Sequence, residues 1–247
     1  MLTNKTIVVT GCLQGIGKET LTTFAENGAN VIACAYRKEQ EFENYCNELA
    51  ARCRVQIIPI YFDMNDNDAV KAAAREIMTL KMEINGLVNI AGINRDAYFN
   101  MITYNDLLET FQVNFFAQII FTQYIVKLMQ RRKTKGCSIA FTSSLAAIYG
   151  SAGQIAYSSS KAALIGAVKS LAIELGKDDI RVNAIAPGVI RSPMTEALAD
   201  EVLNMRVKEM DIPRLGEPKE VSNLLMFLMS DLSGHITGQI IRIDGGM

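Results

Sequence analysis

Runs of consecutive apolar residues alternate with longer amphipathic stretches along the whole chain. Segments 6–10, 30–35, 55–62, 86–90, 138–142, 181–186 and 239–243 have the length and apolar content of strands. The intervening segments 15–27, 39–52, 66–81, 104–132, 152–176 and 218–230 carry apolar residues at helical spacing, several opened by Asn or Asp and closed by Gly. Strand and helix in strict alternation predict parallel pairing with crossover helices. Ile7, Val8 and Val9 are apolar at successive positions, as are most residues of 86–90, so both faces of the predicted sheet are covered. No linker, repeat or low-complexity stretch interrupts the rhythm. The pattern predicts α/β: one doubly wound domain over residues 1–247, with about seven parallel strands.

Composition narrows the function classes without changing this picture. The 247 residues carry 25 basic and 26 acidic side chains, a formal charge of −1, which gives no basic footprint for nucleic acid. No apolar run approaches a membrane span, and the first residues lead only into the short run Ile7–Val9, unlike a secretory signal. Five scattered cysteines, odd in number and without C-x-x-C spacing, argue against a disulfide framework or a structural zinc and for a reducing, cytoplasmic setting. The lone histidine, His235, gives no Ser-His-Asp hydrolase.

Candidate chemistry begins after the first strand. Thr10-Gly11-Cys12-Leu13-Gln14-Gly15-Ile16-Gly17 joins it to the first helix. Glycines there permit a tight turn and close approach to a pyrophosphate, which the helix N-terminus attracts; they also serve ordinary turns. Where an acidic residue would hold the ribose 2′-OH of NAD, the second strand ends on Ala35, followed by Tyr36, Arg37 and Lys38. Two cations and no carboxylate at that strand end favour NADP(H), although Arg37 and Lys38 also suit a solvated loop, and Gln14 in the glycine loop adds no further cation. Asp63, before Met64, either accepts from the adenine amino group or serves a turn or helix cap. Asn89-Ile90-Ala91-Gly92 closes the fourth strand at the ligand-binding edge of such a sheet.

Tyr157 and Lys161 fall at i, i+4 on a predicted helix, so they share a face. A phenol exchanges protons poorly near neutrality, and a neighbouring ammonium stabilises its phenolate, which suits Tyr157 to an acid/base role; a pair at this spacing is also common by chance as a surface contact. Ser144 lies 13 residues before Tyr157 at the end of the fifth strand and suits a carbonyl oxygen; Ser143 is the competing choice.

Taken in order and spacing, Thr10-Gly11-x-x-x-Gly15-Ile16-Gly17, Asn89-x-Ala91-Gly92, Asn114, Ser144, Tyr157-x-x-x-Lys161 and Pro187-Gly188 resemble the short-chain dehydrogenases/reductases across essentially the whole chain. Asn94-Arg95-Asp96, 183–190, Ile212-Pro-Arg-Leu-Gly216 and the terminal Asp244-Gly-Gly are most similar to the 3-oxoacyl-[acyl-carrier-protein] reductase group. The resemblance implies a Rossmann-type fold and hydride transfer from NADPH to a ketone, most simply a 3-oxoacyl thioester carried on acyl-carrier protein. It implies that Asn114, Ser144, Tyr157 and Lys161 are catalytic: Tyr157 donates the proton, Lys161 binds the nicotinamide ribose and lowers the Tyr157 pKa, and Asn114 holds a relay water. Gly11, Cys12, Leu13, Gln14, Gly15, Ile16, Gly17, Arg37, Lys38, Asp63, Met64, Asn89, Ala91, Gly92, Pro187, Gly188 and Ile190 then complete the cofactor set, with Ile190 beside the nicotinamide. Ile90 departs from the family, which has a second Asn there. The resemblance also implies a homotetramer packed through 104–132 and 152–176, and needs no metal. A secondary-alcohol or sugar dehydrogenase of the same family is the alternative, since segment 191–211, expected to cover the substrate, either lines an acyl site with Met194, Leu198, Val202 and Met205 or packs them as a helix face. A nucleotide-binding regulator is the alternative outside enzymes, and the complete catalytic set argues against it.

Overall fold

The computed structural model describes residues 1–192, 195 and 200–247. Seven parallel strands form one sheet in the order β3-β2-β1-β4-β5-β6-β7. They are β1 (Thr6–Thr10), β2 (Asn30–Ala35), β3 (Ile57–Tyr61), β4 (Gly86–Asn89), β5 (Cys137–Thr142), β6 (Ile180–Pro187) and β7 (Ile240–Ile243). The order reverses between β1 and β4, whose registered pairs include Val9 with Val88. In open sheets of this kind ligands bind at such a reversal, outside the carboxyl ends of the strands.

The strands are apolar on both faces because a core lies on each side. Val8, Ile32, Leu87, Ile139 and Phe141 pack on one side with Val70 and Ile77 of α3 (Asn67–Thr79), Phe121 of α5 (Ala117–Arg132) and Leu164 of α7 (Ile155–Leu175). Ile7, Val9, Val31 and Val88 point the other way, against Leu21 and Phe24 of α1 (Gly15–Glu26), Phe42 of α2 (Gln40–Cys53) and Leu225 of α9 (Pro218–Met229). Short α6 (Ala146–Tyr149) precedes α7, and α8 (Asp200–Lys208) lies between β6 and α9. No helix among the described residues is long and apolar enough to cross a membrane.

Most boundaries shift by a residue or two from the sequence pattern, and three differences bear on the site. The helix expected over 104–132 is α4 (Tyr104–Phe111), a π-helical turn at Gln112–Phe116, and then α5. A π turn inserts one residue into the helical ladder, and this one contains Asn114. The third strand begins at Ile57, because Arg54 ends α2 in the left-handed region and the Val55 N–H returns to Ala50 O. Helix α7 starts at Ile155 after a loop whose Gly150 and Gly153 both have positive φ. Met194 and Leu198 lie outside the described residues, as does the Val202 side chain; Met205, on α8, is 56% exposed.

Candidate active site

At the nucleotide end, Thr10 ties the ends of β1 and β4 together. Its fully buried hydroxyl oxygen accepts from the N–H groups of Ile90 (3.0 Å) and Ala91 (3.2 Å). This brings the β4 loop onto the β1 loop so closely that a Cβ on Gly11, whose φ is +77°, would stand 3.0 Å from Ala91 N. The first turn of α1 is equally tight, with a Cβ on Gly17 falling 2.0 Å from the Gly11 carbonyl oxygen. Gln14 occupies the N-cap with no side-chain capping bond, and the first turn carries no acidic residue, so the helix end keeps donors and positive potential for an anion. Gln14 is exposed and Leu13 half-buried. Cys12 faces inward: it is fully buried, its Sγ bonds Val9 O at 3.1 Å, and its N–H bonds Cys34 O at 3.0 Å. Burial pushes its thiol well above the ordinary range.

Ala35 is buried at the end of β2, while Arg37 and Lys38 project beyond it. Asp63 forms a turn, with Oδ1 accepting from Asn65 N at 2.8 Å. The N-cap of α3 is instead Asp66, which accepts from the N–H groups of Asp68 and Ala69, so the cap alternative for Asp63 falls away. Met64 is buried, and its carbonyl accepts from Gln112 Nε2 at 3.1 Å. Asn89 is buried with its amide donating to Thr122 Oγ1 at 3.0 Å, so the side chain faces α5. Gln118, also fully buried, donates to Ala91 O at 2.7 Å and anchors the loop from the far side of Thr10.

The chemical end is assembled by β5, the π turn and α7. Lys161 is 2% exposed, and its ammonium donates to Thr142 O at 2.8 Å. Its nitrogen lies 5.8 Å from the Tyr157 ring centroid. A Cβ on Gly92 would lie 3.1 Å from Asn114 Oδ1 and 3.2 Å from Lys161 Nζ, so the fourth-strand loop runs directly over both. Both amide hydrogens of Asn114 are used: Nδ2 donates to Ile93 O (2.9 Å) and Ser160 Oγ (3.0 Å), while Oδ1 accepts from Ile93 N (2.8 Å). Its amide has no donor left for a water, which leaves a second lone pair on Oδ1 and the backbone carbonyl.

The neighbouring serines separate by burial. Ser143 is 1% exposed and donates to the Lys161 carbonyl at 2.9 Å, fixing α7 against β5. Ser144 is half-buried, accepts from Ala146 N at 3.2 Å, and hydrogen-bonds the Tyr157 phenol. Burial raises the Tyr157 pKa, the Ser144 bond lowers it, and the Asp96 carboxylate raises it. In this arrangement the Lys161 ammonium is turned to Thr142 O. Burial alone depresses Lys161 to about 8.

That depression has a measurable sign. Between pH about 8 and the ordinary lysine range near 10.5, the unfolded chain holds a proton that folded Lys161 has released, so this group's contribution to stability rises with pH across that window. The stability of wild type relative to Lys161→Met is expected to be higher at pH 10 than at pH 7.5 in paired urea unfolding. An invariant difference between the two proteins would contradict it.

On the far side, Pro187 O accepts from Leu145 N at 3.0 Å, beside Ser144, and Gly188 N donates to Ile243 O at 3.0 Å. Ile190 is 5% exposed and packs on Gly216. Thus Gly92, Asn114, Ser144, Tyr157 and Lys161 converge, while Arg37, Lys38 and Asp63 sit beyond β2 and β3, across the switch point. Thr10, Gln118, Thr122, Thr142 and Ser160, none of which was given a role in the site from sequence, hold it together. Thr10 opens the glycine motif and Ser160 lies between Tyr157 and Lys161, the one signal that could have pointed to them.

A family model described as enoyl-(acyl carrier protein) reductase matches residues 11–247. The chain belongs to the short-chain dehydrogenase/reductase family. It is 37% identical to a 3-oxoacyl-[acyl-carrier-protein] reductase of Thermotoga maritima, over 100% of this chain and 98% of that one. It is 36% identical to a 3alpha-hydroxysteroid dehydrogenase of Mediterraneibacter gnavus, covering 99% and 97%. Among solved structures, a 3-oxoacyl-[acyl-carrier protein] reductase from Brucella melitensis superposes with a TM-score of 0.91 at 30% identity, covering 100% of this chain and 92% of that one. This short-chain dehydrogenase/reductase is therefore an oxidoreductase on a Rossmann-type sheet.

Proposed function

We propose that the enzyme reduces the ketone of a 3-oxoacyl thioester, with Tyr157 as the proton donor. The observation that carries this reading is the convergence of Ser144, Tyr157 and buried Lys161 beneath the Gly92 loop, at the carboxyl end of the sheet where the strand order reverses. The close-packed glycine turn and uncapped α1 terminus suit a dinucleotide pyrophosphate, with Gly11–Gly17 forming the cradle and the β4 loop its opposite wall. Arg37 and Lys38, with no carboxylate at the end of β2, favour NADPH. NADPH supplies the hydride when bound.

The remaining steps belong to the chain. Ser144 donates to the substrate oxygen and orients the carbonyl. As the carbonyl carbon gains hydride, the C=O π pair moves to oxygen, the Tyr157 O–H bond breaks, and a new O–H bond completes the alcohol. Burial that raises the phenol's pKa keeps Tyr157 protonated until that moment. Lys161 stabilises the resulting phenolate, for which its ammonium must leave Thr142 O. Asn114 holds Ser160 and the Ile93 backbone in place, and its free carbonyl capacity suits a water that returns the proton.

Segment 191–211 would cover the substrate, and acyl-carrier protein would deliver the thioester. Exposed Phe116 and Ile173, on the π turn and α7, support a homotetramer through these helices. Five free thiols, four of them buried, support a reducing cytoplasm. The steroid-dehydrogenase relative makes a secondary-alcohol dehydrogenase the second reading. Oxidation of NADPH should be followed with acetoacetyl, crotonyl and steroid-ketone substrates. The acetoacetyl thioester should give the highest kcat/KM; preference for the crotonyl thioester would mean enoyl reduction, and preference for the steroid the second reading, either of which overturns the first.

A further inference from the structure

The two cations at the end of β2 are already occupied. Arg37 Nε bonds Glu39 Oε1 at 2.5 Å, and Lys38 Nζ lies 3.1 Å from Glu43 Oε1. The arginine and lysine side chains are 68% and 69% exposed, while Glu43 is only 24% exposed and also accepts from Tyr61 Oη at 3.5 Å. Glu39 is the N-cap residue of α2, and Glu43 lies in its first turn, where the helix dipole favours a carboxylate. Both acids therefore sit at the N-terminal end of α2 beside the two cations, although the Glu39 side chain makes no capping bond.

We propose that Glu39 and Glu43 are specificity-determining residues for the cofactor, because each carboxylate competes with a ribose 2′-phosphate for Arg37 or Lys38. This rests on the reading of NADPH as cofactor. A 2′-phosphate must displace both carboxylates and then lie near them as a dianion. A 2′-hydroxyl meets neither cost, so the acids act on the difference between the two cofactors. Exposed ion pairs are individually weak, so a phosphate can break them, but with a reduced advantage. The acids thus narrow the preference for NADPH and leave NADH access to the site.

The test is equilibrium titration of the full chain with NADP⁺ and NAD⁺ by calorimetry, alongside kcat/KM with NADPH and NADH. Glu39→Gln and Glu43→Gln together should raise the NADP⁺ to NAD⁺ affinity ratio about three- to tenfold, the sum expected of two exposed pairs. Glu41→Gln, which removes a charge from the same helix turn, should change the ratio less than twofold. An unchanged ratio in the double variant would overturn the proposal. So would weaker NADP⁺ binding, because the acids would then be aligning the cations for the phosphate. If wild type binds NAD⁺ more tightly than NADP⁺, the NADPH reading fails; a ratio that still moves toward NADP⁺ in the double variant upholds the competition.

Discussion

Tyr157→Phe is expected to lower ketone turnover by about 10²- to 10⁴-fold, the range of a lost general acid, while NADP⁺ binds within about twofold of wild type. The phenylalanine keeps the ring that packs near Lys161 and removes only the hydroxyl that bonds Ser144. Substrate reduction loses its proton source, whereas the glycine cradle at the nucleotide end is unchanged. Single-turnover oxidation of NADPH with saturating acetoacetyl thioester reads the chemical step directly. Turnover within tenfold of wild type would remove Tyr157 from the proton-donor role. Ser144→Ala should give a smaller loss, since it removes an orienting bond and leaves the proton in place, and Ser143→Ala should act mainly on stability because its hydroxyl is committed to Lys161 O.

The strands were legible because a parallel sheet covered on both faces demands unbroken apolar runs, and β1, β2 and β5 are buried throughout or nearly so. The glycine loop and the Tyr157–Lys161 face were legible because their spacing carries geometry. The π turn was not: one inserted residue rotates the apolar stripe too little to disturb the pattern across 104–132, yet it sets the position of Asn114. Sequence favoured Ser144 over Ser143 through its motif position alone, whereas the difference in burial depends on how the chain leaves β5 after Thr142. The partner of the Lys161 ammonium was not legible for a related reason. Its i, i+4 relation to Tyr157 places it on the right face, but the partner of its ammonium is a backbone oxygen of β5, which no side-chain motif encodes. Arg37 and Lys38 were visible as cations, whereas their pairing depends on Glu43 being a turn into α2.

Gly17→Ala is expected to produce the second large effect, and on the opposite half of the reaction. The new Cβ would stand 2.0 Å from Gly11 O and 2.6 Å from Gly11 C, contacts with backbone that no rotamer change relieves. Either α1 withdraws from the β1 loop or the loop opens, and either movement separates Gly11 from Ala91, where the spacing is already tight. Overpacking of this kind costs about 3 kcal/mol. In a chain of this size that corresponds to a fall in Tm of roughly 6–12 °C. Cofactor affinity should fall at least about tenfold, because the backbone N–H groups that would meet the pyrophosphate are displaced together. Thermal unfolding and NADP⁺ titration of the same variant separate the two effects: a lowered Tm with unchanged affinity would mean that the cradle lies elsewhere. The expected pattern is the reverse of Tyr157→Phe, which keeps binding and loses chemistry. The site at the reversal between β1 and β4 therefore predicts two independent failures, one at each end.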